Sequence, residues 1–151
     1  YAYQTPADNS YSKSPLDVPS ATFPEKASEF EAQTAIGGGP VLINKGKIVD
    51  TWKEELFEVG GVEPASSQPR TAVGVTSDKK MIMFVCEGRN MTEGVKGMTT
   101  VEVAEILKDL GCVEAINLDG GGSTCMLVNG KETIKVSDGA QRAVASAVYF
   151  K

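Results

Sequence analysis

The chain has no histidine, and that absence removes a large part of acid–base enzymology. Proton transfer falls instead to carboxylates, Tyr, Lys or Cys, and a Ser–His–Asp triad is excluded. Cysteine is scarce: Cys86, Cys112 and Cys125 form neither a CxxC pair nor a zinc-ligand spacing. All three read as core residues, because a free thiol in an apolar stretch behaves as a small hydrophobe. Positive charge is also short, with 15 Lys and Arg against 20 Asp and Glu and a net charge of −5. A nucleic-acid binder needs a basic face to neutralise phosphates, so no such partner is expected. A local pair of arginines still suffices to hold one phosphate. No apolar run approaches the roughly 20 residues needed to cross a bilayer, and no membrane span is expected.

What is present fits one folded domain. A chain of 151 residues, 41% hydrophobic and 23% charged, is long enough for one proper core and not for two. It opens at Tyr1 without a signal peptide, as a mature product, a trimmed chain or a fragment would. Residues 1–33 form a polar segment punctuated by Pro6, Pro15, Pro19 and Pro24 that buries little apolar surface. A short helix over 24–33, with proline in its first turn, is expected there. The compact pattern, and the domain, run from 34 to 151.

Within that domain the spacing predicts an α+β fold. Residues 34–36 read as a strand entering Gly37-Gly38-Gly39-Pro40, and 41–43 and 47–49 flank Asn44-Lys45-Gly46 as a hairpin. Residues 51–68 are polar and irregular, with a helical turn near 52–57. Strands 71–75 and 81–85 are joined at Ser77-Asp78-Lys79. Thr99-Thr100-Val101-Glu102 matches a capping box. Val103, Ile106, Leu107 and Leu110 then supply the apolar stripe of an amphipathic helix over about 99–110, ended by a left-handed Gly111. A strand over 113–118 follows, then a hairpin pairing 125–128 with 133–136 around Asn129-Gly130, and a closing strand over 142–150. The sheet is mixed and mostly antiparallel.

The densest chemistry lies in Asn117-Leu118-Asp119-Gly120-Gly121-Gly122-Ser123-Thr124, a tight connection at the end of a buried strand. Three glycines carry a backbone entropy cost. They fit a loop whose amides approach an anion closely, or else a plain glycine-rich turn capped by an aspartate. Asp119 at the loop mouth is the first candidate for a catalytic carboxylate; its plainer role is an Asx-type cap. Glu87, at another strand end, is the second, with a solvated surface charge as its plainer role. Arg70 opens a strand after Pro69, where a guanidinium grips a phosphodiester bidentately or forms an edge-strand ion pair. Arg89 is a similar candidate in a mobile glycine-rich loop running to Gly97. Arg142 ties the last strand to a carboxylate or lines the cleft. Asn117 points opposite to Leu118, so it faces the site if Leu118 faces the core.

These pieces stand in a recognisable order. Gly39-Pro40-Val41-Leu42, Arg70-Thr71-Ala72-Val73-Gly74, Gly88-Arg89, Gly97-Met98-Thr99, the run 117–124 and Arg142-Ala143-Val144-Ala145 together resemble the phosphodiester glycosidase family, over residues 35–150. The resemblance implies hydrolysis of a sugar-1-phosphodiester, with a sugar phosphodiester or glycan as substrate. It also implies a link to envelope exopolysaccharide and a secreted, periplasmic or cell-envelope location. Asp119 and Glu87 are then the catalytic carboxylates. Arg70, Arg89, Asn117, Gly120, Gly121, Gly122, Ser123, Thr124 and Arg142 bind substrate. Asn117, Asp119 and Ser123 offer oxygen atoms that Ca²⁺ or Mg²⁺ accepts, yet the family pattern requires no metal, and no metal or other cofactor is expected.

The chain departs from the family in three places. Family domains carry an N-terminal half with further strands and an Asn-Gly-Gly-Phe-like motif, absent here. The 34–151 domain therefore reads as the C-terminal portion of a larger family domain, completed by another segment or a second copy that covers its exposed strand edges. Glu87-Gly88-Arg89 replaces a common Asp-Gly-Arg, and Ser146 stands where Asn is common. Two other readings compete. The glycine run is similar to a phosphate loop of actin-like ATPases, but the second phosphate loop such a fold needs is missing. A non-catalytic glycan-binding or envelope-structural domain is the other, since a fold does not fix a function.

Overall fold

The computed structural model describes residues 34–53, 55, 57 and 61–150. The segment 1–33, with its expected helix over 24–33, lies outside the described residues. The fold is α+β. Strands β1 (Val41–Asn44), β2 (Lys47–Ile48), β3 (Arg70–Thr76), β4 (Met81–Cys86) and β5 (Cys112–Asn117) form one sheet in the order β2-β1-β5-β3-β4. All four neighbouring pairs are antiparallel. Helix α1 (Thr100–Asp109) packs on one face, and β6 (Leu127–Val128) pairs with β7 (Lys131–Glu132) as a separate hairpin.

Period-two alternation decides which face is buried. Ala72 and Gly74 of β3 point toward α1, opposite Phe84 and Ile82 of β4, while Val73 and Val75 point away opposite Met83 and Met81. Under the helix, Leu42, Ile43, Ala72, Cys112 and Ala115 meet Val103, Ala104 and Leu107. Leu107 is fully buried, which contributes about 1.5–3 kcal/mol relative to exposure. No described element packs on the other face, where Val41, Val73, Val75 and Ile116 border a shallow hollow of about 250 Å³.

The expected capping box is present. Thr99 Oγ1 accepts from Glu102 N–H at 3.3 Å, and Glu102 Oε2 accepts from Thr99 N–H at 2.7 Å. That bond from Thr99 N–H holds the Glu102 carboxyl below its ordinary range. Gly111 ends the helix at φ +87°, a left-handed value. The β1–β2 turn uses Lys45 and Gly46, both left-handed, as a two-residue hairpin demands. Cys112 is buried, whereas Cys86 and Cys125 are only half-buried; all three are free thiols.

Three expected strands differ. Residues 34–36 are irregular and exposed. Left-handed Asn129 and Gly130 pair Val128 directly with Lys131, so β7 begins at 131 and 133–136 lies beyond it. Residues 142–150 are irregular and exposed, with Val144 at 49% and Phe150 at 63%. Strand propensity alone does not make a strand without an edge to pair with.

Candidate active site

The register brings the chemistry to one end of the sheet. The starts of β1 and β3 lie beside the ends of β4 and β5. Loops 37–39, 61–68 and 118–122 extend from that end and frame a cleft of about 590 Å³. Asn117, Asp119, Gly120, Gly121, Gly122, Arg70, Arg89 and Arg142 all line it.

Asn117 is 2% exposed at the exit of β5. Its Nδ2 donates to Gly39 O and Leu118 O, both at 2.9 Å. Two carbonyls on that side fix the amide orientation, since a flipped oxygen would face both. Asn117 Oδ1 has no hydrogen-bond partner among the described residues. Buried amide oxygens are normally satisfied, so Asn117 Oδ1 is an acceptor left unpaired and buried at the cleft floor. Asp119, two residues on, is exposed at the cleft surface.

The glycine loop is a short 3₁₀ turn, Gly121–Ser123. Gly121 N–H donates to Pro69 O at 2.9 Å, Ser123 N–H to Gly120 O at 3.0 Å and Thr124 N–H to Gly121 O at 3.1 Å. Those three amides are committed to the protein rather than held open for an anion. Gly121 takes φ +57°. A Cβ at Gly122 would overlap the Asp138 carboxylate, so that glycine makes room for a side chain of the chain itself. Thr124 is buried behind the loop against Thr71, with 3.3 Å between the hydroxyl oxygens.

The three arginines differ. Arg70 is 2% exposed. Its Nε donates to Met98 O at 2.8 Å, Nη1 to Val62 O at 2.7 Å, and Nη2 to Glu63 O at 2.7 Å and Ser66 O at 2.8 Å. Four of the five N–H bonds of a guanidinium therefore hold loop 61–68 and the approach to α1. Burial lowers its pKa, with Cys86, Asp50 and Glu63 opposing. Burial likewise raises the Cys86 thiol. Arg89 donates from Nε to Gln68 Oε1 at 3.1 Å, and Arg142 from Nη2 to Ser123 Oγ at 2.7 Å. Asp138 lies between them, 3.7 Å from Arg89 Nη1 and 3.6 Å from Arg142 Nη1. The loop after Gly88, expected to be mobile, is laddered by Arg89 N–H to Lys96 O at 3.1 Å and Asn90 N–H to Val95 O at 2.9 Å.

Glu87 is not among the residues that line the cleft. Its carboxylate accepts from Lys135 N–H at 3.0 Å. The Thr92 hydroxyl, and then that N–H, hold it below the ordinary carboxylate range. Sequence reasoning passed over Glu63, Gln68 and Phe57, which line the cleft, and Asp138. Glu63 and Gln68 share a 2.7 Å hydrogen bond. The turn-forming run Ser137-Asp138-Gly139 is the one local signal that could have drawn attention to Asp138. Among the described residues no cluster of three or more His, Cys, Asp or Glu is placed to hold a metal ion. None of their helices is long and apolar enough to cross a membrane.

The site can be set beside known proteins. A family model described as phosphodiester glycosidase matches residues 12–151. The mouse N-acetylglucosamine-1-phosphodiester alpha-N-acetylglucosaminidase is 34% identical over 108 residues, 70% of this chain and 20% of that protein. A prophage-derived protein of Bacillus subtilis is 35% identical over 80 residues, 53% of this chain and 12% of its own length. Among solved structures, the zebrafish N-acetylglucosamine-1-phosphodiester alpha-N-acetylglucosaminidase catalytic domain, auto-inhibited by its pro-peptide, aligns with a TM-score of 0.57 at 34% identity. That alignment covers 68% of this chain and 34% of the zebrafish chain. A hypothetical protein from Synechocystis aligns with a TM-score of 0.59 at 31% identity, covering 70% of this chain and 19% of the other. The chain thus spans at most about a fifth of these curated relatives.

Proposed function

This chain belongs to the phosphodiester glycosidase family, and from that premise we propose that it hydrolyses the bond between a sugar's anomeric carbon and a phosphodiester oxygen. The supporting observation is the polarity of the cleft. Asp119 and the unpaired, buried Oδ1 of Asn117 stand beside a wall carrying Arg89 and Arg142. Glycoside hydrolysis ordinarily uses two carboxylates, one protonating the leaving oxygen. The group that leaves is a phosphomonoester, whose second pKa of about 6 lies far below that of an alcohol, so acid assistance matters less and charge stabilisation matters more. In this reading Arg89 and Arg142 receive the phosphate. Asn117 Oδ1 accepts from a sugar hydroxyl or amide N–H, and Asp119 works at the anomeric carbon. Arg70 acts through the loop it holds. Among the described residues two carboxylates line the cleft, Asp119 and Glu63; Glu87 ties the 135 segment to the rim instead.

The substrate is a glycan-type phosphodiester, in keeping with the mouse relative's name, and the protein works in a secreted, periplasmic or envelope setting. The sheet face left uncovered among the described residues and the exposed segment 142–150 favour a complementary segment or a second copy as partner, with 34–151 the C-terminal portion of the working domain.

The test is Asp119→Asn, assayed on the methyl diester of N-acetylglucosamine 1-phosphate. Turnover should fall about 10²-fold or more, the scale of a lost acid or base, at an unchanged melting temperature because Asp119 is exposed and Asn keeps its shape. Near-normal turnover in the folded variant removes Asp119 from the mechanism. Wild-type protein that binds the diester and never turns it over is a glycan-binding module.

A further inference from the structure

We propose that Asp138 is a positioning residue that holds Arg89 and Arg142 together as one phosphate-binding unit. This rests on the reading above, in which those two guanidinia receive the phosphate. The geometry is that of a bridge. Each carboxylate oxygen serves a different arginine: Oδ1 lies 3.7 Å from Arg89 Nη1, and Oδ2 lies 3.6 Å from Arg142 Nη1. Without that charge, the wall carries two like charges whose other side-chain partners are neutral. Arg89 has Gln68 Oε1 at 3.1 Å and Ser137 Oγ at 3.4 Å, and Arg142 has Ser123 Oγ at 2.7 Å. Both arginine side chains are about half exposed, at 47% and 50%, so packing alone does not confine them.

A second observation comes from the opposite side of the contact. A Cβ at position 122 would overlap Asp138, so the last glycine of the run is shaped to admit this carboxylate. The loop, the carboxylate and the two arginines therefore form one assembly, joined again where Ser123 accepts from Arg142. Asp138 itself is not among the cleft-lining residues. It acts on substrate only through the arginines, by offsetting their mutual repulsion and limiting their rotamers. Pairs this exposed are each worth little, so the effect is a graded loss of binding.

The experiment is Asp138→Asn in the full chain, with two readouts. The first is NMR of the arginine Nε–H groups, assigned through Arg89→Lys and Arg142→Lys. Both signals should move toward free-arginine positions in Asp138→Asn while the other arginines stay put. The second is kinetics on the methyl diester of N-acetylglucosamine 1-phosphate: KM should rise about three- to tenfold with kcat nearly unchanged. Asp138→Glu should recover part of the loss. Gly122→Ala, which crowds the carboxylate out without removing it, should reproduce both effects and serves if Asp138→Asn folds poorly. Unmoved Arg89 and Arg142 signals overturn the proposal. A fall in KM also overturns it, because Asp138 would then be competing with the phosphate. The NMR arm needs no turnover, so it decides Asp138 even where the glycosidase reading fails.

Discussion

Arg70 and Asn117 on the cleft floor, and Thr124 beneath it, are 2%, 2% and 1% exposed, whereas the rim arginines Arg89 and Arg142 are about half exposed. The floor is polar yet buried, and its groups are spent on backbone: Arg70 on four carbonyls, Asn117 on two. The rim is polar and half exposed, its charges shared among Asp138, Ser123 and Gln68. An arginine is therefore a different object in the two places. On the floor it is part of the architecture, because removing it strands buried acceptors. On the rim it is free to trade its partners for a ligand.

The contrast is tested hardest at Arg70. Arg70→Ala should cost about 3–5 kcal/mol, since it takes the Arg70 donors from Val62 O and Ser66 O and leaves Glu63 O and Met98 O with only their backbone donors, Ser66 N–H and Gln68 N–H. Arg70→Lys should recover little because a single ammonium does not replace the fork. Urea denaturation measures this directly; a loss below about 1 kcal/mol would place Arg70 with the rim. Arg142→Gln should do the reverse. Its stability should stay within about 0.5 kcal/mol of wild type, while calorimetric affinity for the phosphodiester drops about tenfold, as expected for a lost charge-assisted bond. Equal losses of stability and affinity would erase the distinction.

The smallest effect is a pH response at the rim. The folded Glu87 carboxyl titrates below its ordinary range, so the unfolded chain binds the proton more readily. The contribution is present above the unfolded value and is lost as pH falls through the lowered folded one. Amide signals around Lys135 should change in that acid window, while those of Arg70 and Asn117 stay fixed. Simultaneous change at all three would show that floor and rim melt together.

Residues that obey local rules were legible before any coordinates. The capping box at Thr99 and Glu102, the apolar pair Val103 and Leu107, and the turns at Lys45-Gly46 and Asn129-Gly130 depend on neighbours a few positions away. The run from Asn117 to Gly122 marked the cleft for the same reason. Arg70 was legible as a residue of the site but not in its contacts, because its carbonyl partners come from loop 61–68 and from Met98. Glu63 and Gln68 reach the cleft through that same loop, whose path periodicity does not encode. Asp138 reaches Arg89 from 49 positions away, a distance no spacing rule covers. Segment 142–150 has the alternation of a strand but finds no edge among the described residues.

One feature of the sheet bears on how the protein tolerates change. All of the cleft chemistry hangs from one end, while the turn between β3 and β4, Ser77 to Lys80, projects fully exposed from the other. Six paired positions, Arg70 opposite Cys86 through Val75 opposite Met81, separate the two. Loop length is cheap in closure entropy, and exposed loop tips are the preferred sites for insertion. Length variation, an affinity tag or a fluorescent fusion therefore belongs at 77–80, where the β3–β4 ladder isolates it from Arg70.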